Sequence, residues 1–371
     1  MHTRTEVAAK SSEQHRRAAC GRRAGPAVAG LAAVLLVGTT GAAERESARA
    51  FLATTFALTG EDFDRVHQGR VVTRTVRATD AREVATFGIM RVRVTPEFYV
   101  HRLADIVNFK KADAVLQIGV FSDPPALRDV ADLTLDSSDI RSLRECRVGR
   151  CGVQLPAGAI DRFRRDVDWT QADARDQANR LMRQILVEYV SAYQQAGAAT
   201  SMLYADRAQT VDVRREFLSL TSSDTGGWDR FPALRRHLVE YPGVRAPDVI
   251  DRVYWSTERV GRQPVASVTH LAISRHAAES PAAYAVASKQ IYGTHYFDAS
   301  LGLTVLVRDR QAESAATYVA YLNRSRVDVF GGMFGGMTRR IVTSRARGTV
   351  GDQLADLQRR LEHEFASEYR H

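Results

Sequence analysis

Ten consecutive residues, Lys289-Gln290-Ile291-Tyr292-Gly293-Thr294-His295-Tyr296-Phe297-Asp298, bring together an amine, an amide, an imidazole, two phenols and a carboxylate. Groups of this kind could orient a small molecule. Each phenol joins an apolar ring to a polar handle, which suits an amphipathic ligand. The lysine and histidine would instead suit a carboxylate or phosphate headgroup. Read as an extended strand, the segment alternates with period two. Lys289, Ile291, Gly293, His295 and Phe297 then share one face, and Gln290, Tyr292, Thr294, Tyr296 and Asp298 the other. The tyrosine face is the preferred wall of a ligand cavity. His295 and Asp298 are three apart and so point to opposite faces, which argues against an oriented base. His270 lies on the neighbouring strand Val265–Ile273, on the face of Ala266 and Val268, and reads as a core or cavity-wall residue. The candidate ligand-binding residues are therefore Tyr292, Tyr296, His295, Lys289 and His270. Gly293 in mid-strand marks a bulge, a bend or a close approach to the backbone.

Other motifs point away from catalysis. The chain has no Gly-x-Ser-x-Gly elbow and no His-Glu-x-x-His pair, so no catalytic residue and no cofactor is assigned. Cys146 and Cys151 enclose four residues including Gly149, which predicts a small disulfide loop in an oxidising compartment. Their spacing and the lack of a second Cys/His pair nearby speak against zinc, and no metal site is expected. The glycine cluster Gly331–Gly336 lacks the Gly-Lys-Ser/Thr ending of a phosphate loop and reads as a tight turn. Asn323-Arg324-Ser325 has the form of a glycosylation acceptor but falls inside a predicted strand.

These residues sit in a run of strands rich in Val, Ile, Thr, Tyr and Phe: Asp251–Arg259, Val265–Ile273, Ala283–Phe297 running on into Leu301–Val307, and Thr317–Val329. Short polar turns between them predict an antiparallel meander. After the glycine cluster the period becomes helical, and Leu354, Leu357, Leu361 and Phe365 fall on one face. Upstream, Arg70–Arg77 and Glu83–Val94 read as strands. Thr95, Pro96 and Glu97 start a helix toward Phe109, and Val115–Phe121 is a third strand. From about residue 126 to 245 the pattern is helical, and its longest stripe runs from Ala178 through Leu181, Met182, Ile185, Leu186, Tyr189 and Val190 to Tyr193.

The order strand, strand, proline-started helix, strand, later strands, glycine turn and long C-terminal helix is carried by Glu83–Asn108 and Lys289–Leu361. It resembles the START-like, helix-grip superfamily. That resemblance implies a curved antiparallel sheet gripping the C-terminal helix, with a cavity between them for lipids, sterols or other apolar molecules. The helical middle departs from the pattern. The expected fold is thus α+β, with residues 44–125 and 246–371 forming one domain and 126–245 inserted into it.

The net charge is +9, yet only four of the 52 basic residues are lysines, as GC-rich bacterial coding would produce. No basic run is interleaved with aromatics, so nucleic acid is not an expected partner. Arg16, Arg17, Arg22 and Arg23, the apolar run 24–37 and the small residues 38–43 follow the order of a secretory signal. The apolar run is short for a membrane anchor, which needs roughly 20 residues. Removing residues 1–43 takes away six basic and two acidic residues and lowers the charge to +5. The sequence thus reads as an exported, periplasmic or extracellular binder of an apolar or amphipathic small molecule. That role leaves room for transient membrane contact and names no protein partner. Two rivals are a cavity enzyme of cyclase or hydrolase type using His or Tyr groups, and an envelope interaction protein with a filled core.

Overall fold

The computed structural model describes residues 46–368 except Thr79, residues 222–226, Arg262 and residues 329–334. The presequence with Cys20 and most of the glycine cluster lie outside the described residues.

The order is α1 (Ala48–Phe56), α2 (Gly60–His67), β1 (Val72–Thr75), β2 (Glu83–Val92), α3 (Pro96–Ala104), α4 (Ile106–Phe109) and β3 (Val115–Val120). The insertion follows, with α5 (Ser137–Glu145), α6 (Ala157–Asp166), α7 (Ala174–Ala196), the short pair β4 (Leu203–Tyr204) and β5 (Val211–Asp212), α8 (Val213–Thr221) and α9 (Pro232–Glu240). The sheet resumes with β6 (Val249–Val260), β7 (Gln263–Arg275), β8 (Ala282–Gly293), β9 (Phe297–Arg308) and β10 (Thr317–Val327), and α10 (Gly335–Glu368) ends the chain.

The fold is α+β. Eight antiparallel strands form one curved sheet in the order β1-β2-β10-β9-β8-β7-β6-β3. The meander expected from β6 to β10 is present, and β2 and β3 flank it on opposite sides. Local signals place the helices as chemistry requires. The Thr59 hydroxyl accepts from the Asp62 N–H while the Asp62 carboxylate accepts from the Thr59 N–H. The Thr95 hydroxyl accepts from the Phe98 N–H and Pro96 opens α3. The single helix expected from 96 to 109 is broken at Asp105, whose carboxylate starts α4 by accepting from the Asn108 N–H.

One sheet face is covered by the insertion with α1 and α2. There Phe87, Ile89, Ala272, Ala285, Ala287, Leu303 and Leu322 meet α1, α2, α8 and α9. Val253, Trp255, Val268 and Tyr292 meet α5–α7. The stripe of α7 is buried as expected, with Tyr189 half-buried at its margin. The opposite face carries α3, α4 and α10, where Met90, Val92, Val286, Leu306 and Val319 pack with Phe98, Leu103, Leu354 and Leu361. Leu357 and Phe365 add to it from the same helix face. No described helix is long and apolar enough to cross a membrane.

Candidate functional site

The α10 face changes character along its strands. Cross-strand register sorts it into rows. One row, Tyr284–Leu306–Val319–Met90, is apolar and lies under α3 and α10. The next, Val286–Thr304–Tyr321–Gly88, is mixed. Beyond it run Leu271–Ser288–Gly302–Asn323–Thr86 and Tyr254–Thr269–Gln290. Ser267 and Ser256 pair at the far end. Apart from Leu271 and Tyr254, these outer rows hold small or uncharged, mostly hydrogen-bonding residues, with Thr86, Thr269 and Ser256 buried. Ser267, Ser288, Gln290, Thr304, Tyr321 and Asn323 are only half-buried. Among the described residues, the side chains of Ser267, Ser288, Gln290 and Thr304 form no hydrogen bond.

Larger groups rise around this floor. Lys110, at the end of α4, places its Nζ 3.0 Å from Glu258 Oε1 and 5.8 Å from the centre of the Tyr254 ring. The Ser256 hydroxyl donates to Glu258 Oε1 at 2.6 Å. Burial works against the Lys110 ammonium, but Tyr254 and Glu258 outweigh it and hold the amine protonated. Burial also opposes the Glu258 carboxylate, and Lys110 with the Ser256 hydroxyl turns the balance, so its pKa falls below the usual range. Both side chains nonetheless keep 27% and 23% of their surface open. Burial pushes the Tyr321 phenol up, with Lys110, Tyr254 and Glu258 all close enough for their charges to act on it. Burial raises the Tyr99 phenol of α3, and Tyr321 adds to the effect.

That proximity reports the curvature. Tyr321 is on β10 and Tyr254 and Glu258 are on β6, four strand spacings away. In a flat sheet their backbones would stand about 19 Å apart. Interaction between the side chains across β9, β8 and β7 requires the sheet to curl around this face. The result is a concave sheet face whose half-buried polar rows lie near Tyr99, Tyr254, Tyr321 and the Lys110–Glu258 pair, next to the apolar row buried under α3 and α10. Gly88 lets α10 form the remaining side. A Cβ there would lie 2.5 Å from Leu354 Cδ1 and 3.1 Å from Val350 Cγ1.

The residues singled out by sequence lie elsewhere. β8 ends at Gly293, so the expected strand through Phe297 is instead two strands joined by a turn at residues 294–296, with Tyr296 at φ 65°. A register shift between Val268 and Thr269 makes Ile291 an extra residue on β8. Period two is thereby lost, and Lys289 and Tyr292 fall on the same face, toward the insertion. Gly293 fits the close approach expected for it, since a Cβ would meet the Gln290 amide nitrogen at 2.5 Å.

Under the insertion, Lys289 Nζ donates to the Leu238 carbonyl at 3.1 Å and lies 4.2 Å from the Phe217 ring centre. Burial, with a smaller effect from Arg214, lowers its pKa to about 7. The Tyr292 hydroxyl is buried and has no hydrogen-bond partner among the described residues. Burial raises its pKa, with smaller effects from Asp139 and Asp206. His295 pairs with Asp139 of α5 at 2.7 Å rather than with Asp298. Cys146 and Cys151 stand as the expected disulfide, their Cα atoms 4.4 Å apart. Asn323 is half-buried and hydrogen-bonded to Ser300 on the sheet floor.

His270 belongs to a cluster the sequence did not announce. His237 and His270 each place Nε2 2.8 Å from Asp251 Oδ1, and the three groups could in principle surround a metal ion. The second nitrogens decide the matter. The Ala246 N–H donates to His237 Nδ1 at 3.2 Å, so Nε2 carries the proton and gives it to Asp251. A metal on that Nε2 would need Nδ1 protonated against the backbone donor. The donor set therefore fits a carboxylate that accepts hydrogen bonds from two imidazole Nε2–H groups. Burial lowers the His270 pKa, with the Asp251 bond opposing it, and the Tyr193 hydroxyl satisfies its Nδ1 at 2.9 Å.

Two surface recesses lie away from the α10 face. One of about 510 Å³ is bordered by α1, β1 and Arg230, and one of about 400 Å³ adjoins the disulfide loop. The first includes the Thr55 hydroxyl and the second the Asp206 carboxylate, each with a buried oxygen that has no hydrogen-bond partner among the described residues. No protein-family model matches this chain, and no curated protein is significantly similar to it.

Proposed function

We propose that this protein binds an amphipathic small molecule in the recess between the curled sheet and α10, as a START-like helix-grip protein exported to the cell envelope. One observation carries the reading: an inner sheet face, walled by helices, that leaves four hydrogen-bonding side chains half-open and unpartnered beside an apolar end. Binding sites combine apolar walls with a few convergent polar groups in this way. The opposite face supports no such reading, because the insertion packs against it as core.

The enzyme reading is less well supported. A proton-transfer residue works best with a pKa near the operating pH. In the recess, Lys110 is held charged and Glu258 is held ionised, each mainly stabilised by the neighbours that oppose its burial. The amine near neutrality, Lys289, is on the other face.

The test uses Nile red, a neutral dye whose emission rises in an apolar site. Wild-type protein should bind it saturably. Ser288→Phe, which fills the floor, should abolish binding while the fold is kept. Lys289→Met, on the far face, should leave binding intact. Equal binding by Ser288→Phe would refute the location.

A further inference from the structure

Resting on that reading, the structure assigns the recess a ligand class: we infer that it receives the uncharged, hydroxyl-rich ring of a saccharide. The floor decides between ligand chemistries. An apolar ligand that covered all of Ser267, Ser288, Gln290 and Thr304 would strip water from them and give little back, which weakens its binding relative to a ligand with its own hydroxyls, since none has a protein partner. Each stranded polar group costs about 1–3 kcal/mol. A ligand must therefore bring its own donors and acceptors, spread over an area that spans β7, β8 and β9.

Charge narrows the class. Lys110 and Glu258 neutralise each other at 3.0 Å. No other charged side chain belongs to the rows Val286–Thr304–Tyr321–Gly88, Ser288–Gly302–Asn323–Thr86 and Tyr254–Thr269–Gln290. A carboxylate or phosphate would find no uncommitted counter-charge within these rows and would pay much of its desolvation there. Hydroxyl groups pay much less and can both donate and accept, matching serine, threonine and glutamine, which do the same.

Shape agrees. Small side chains and Gly302 keep the floor low. A Cβ at Gly302 would lie 3.5 Å from both Ser288 Cβ and Tyr321 Cε2, so the Tyr321 ring edge packs over buried Gly302 beside half-buried Ser288. Aromatic rings beside hydrogen-bonding groups suit a pyranose, which has apolar C–H faces and polar edges. A free saccharide and the sugar head of a neutral glycolipid share this chemistry. The neighbouring apolar row Leu306, Val319 and Met90 is fully buried under α3 and α10, so the alkyl chain of the second would lie outside it.

The experiment titrates the full chain with maltotriose, n-octyl β-D-glucoside below its micelle concentration, and dodecanoate, read by calorimetry. The expected result is binding of the glucoside and weak or no binding of dodecanoate. Gln290→Leu and Ser288→Ala should each weaken glucoside binding by roughly three- to tenfold, the loss of about one hydrogen bond. Maltotriose binding with similar sensitivity would identify a free saccharide as the source. Glucoside binding without maltotriose binding would identify a glycosylated amphiphile. Dodecanoate bound more tightly than the glucoside, and unaffected by Gln290→Leu, would overturn the saccharide assignment while leaving the recess as a binding site. No binding of either sugar, with Nile red still bound, would also overturn it. Loss of Nile red binding alone would speak against the broader reading.

Discussion

Replacing Gly88 by alanine tests how α10 is seated. Gly88 is on β2, and its missing Cβ would lie 2.5 Å from Leu354 Cδ1 and 3.1 Å from Val350 Cγ1. Carbon atoms prefer about 3.5–4.0 Å, so the methyl group intrudes by about 1 Å. Overpacking of this size costs about 1–3 kcal/mol. Leu354 Cδ1 is the tip of a side chain and can swing aside, while Val350 limits where it can go, so the lower part of that range is expected, about 1–2 kcal/mol. Leu354 is 7% exposed, and Leu354→Ala alone should cost about 2–5 kcal/mol. Once the leucine is gone, the added methyl has room. The double variant should therefore be more stable than the sum of the single effects predicts, by about 1–2 kcal/mol. Urea unfolding followed by tryptophan fluorescence measures all four proteins. Additivity within about 0.5 kcal/mol would show that Leu354 does not sit over Gly88 and would remove α10 from the wall of the recess.

Lys289 carries a pH signature. Its amine has a pKa of about 7 in the folded chain against 10.5 when exposed, so the unfolded chain binds more protons between those values and stability should rise with pH there. The rise should be about 2 kcal/mol between pH 7 and 9, and Lys289→Met should abolish it; the same slope in the variant would place the effect elsewhere. Thiol titration of the unreduced, denatured protein lacking residues 1–43 should find no free thiol, and two would contradict the Cys146–Cys151 bond. Zinc should leave the melting temperature unchanged, because the Ala246 N–H fixes the His237 tautomer; a shift that His237→Ala abolishes would make the cluster a metal site.

Much of the architecture was legible because it depends on local patterns. The meander announces itself through β-branched runs and turn residues. The apolar spacing of Leu354, Leu357, Leu361 and Phe365 marks the face by which α10 packs. Thr95 and Pro96 start α3 because a cap and a pre-set φ act within a single turn. The candidate site was harder to read for two reasons. The extra residue at Ile291 shifts every alternation argument on β8, and a bulge depends on the partner strand rather than on the local sequence. Attention also went to the chemically rich residues of 289–298, whereas the recess floor consists of plain ones. Its signal was present as Ser267 and Thr269, Ser288 and Gln290, Gly302 and Thr304, Tyr321 and Asn323: small or uncharged residues two apart on consecutive strands. Lys110 and Glu258 are far apart in sequence, and only the curl of the sheet brings Tyr321 to them.

The most direct test of the central claim is native mass spectrometry of the protein purified from the cells that make it. The account predicts a retained neutral molecule on the wild-type chain, released on denaturation. The same molecule should be absent from Ser288→Phe and present on Lys289→Met. A wild-type mass equal to that of the polypeptide alone, together with no uptake of Nile red or octyl glucoside, would contradict the account. So would a retained molecule lost from Lys289→Met but kept by Ser288→Phe.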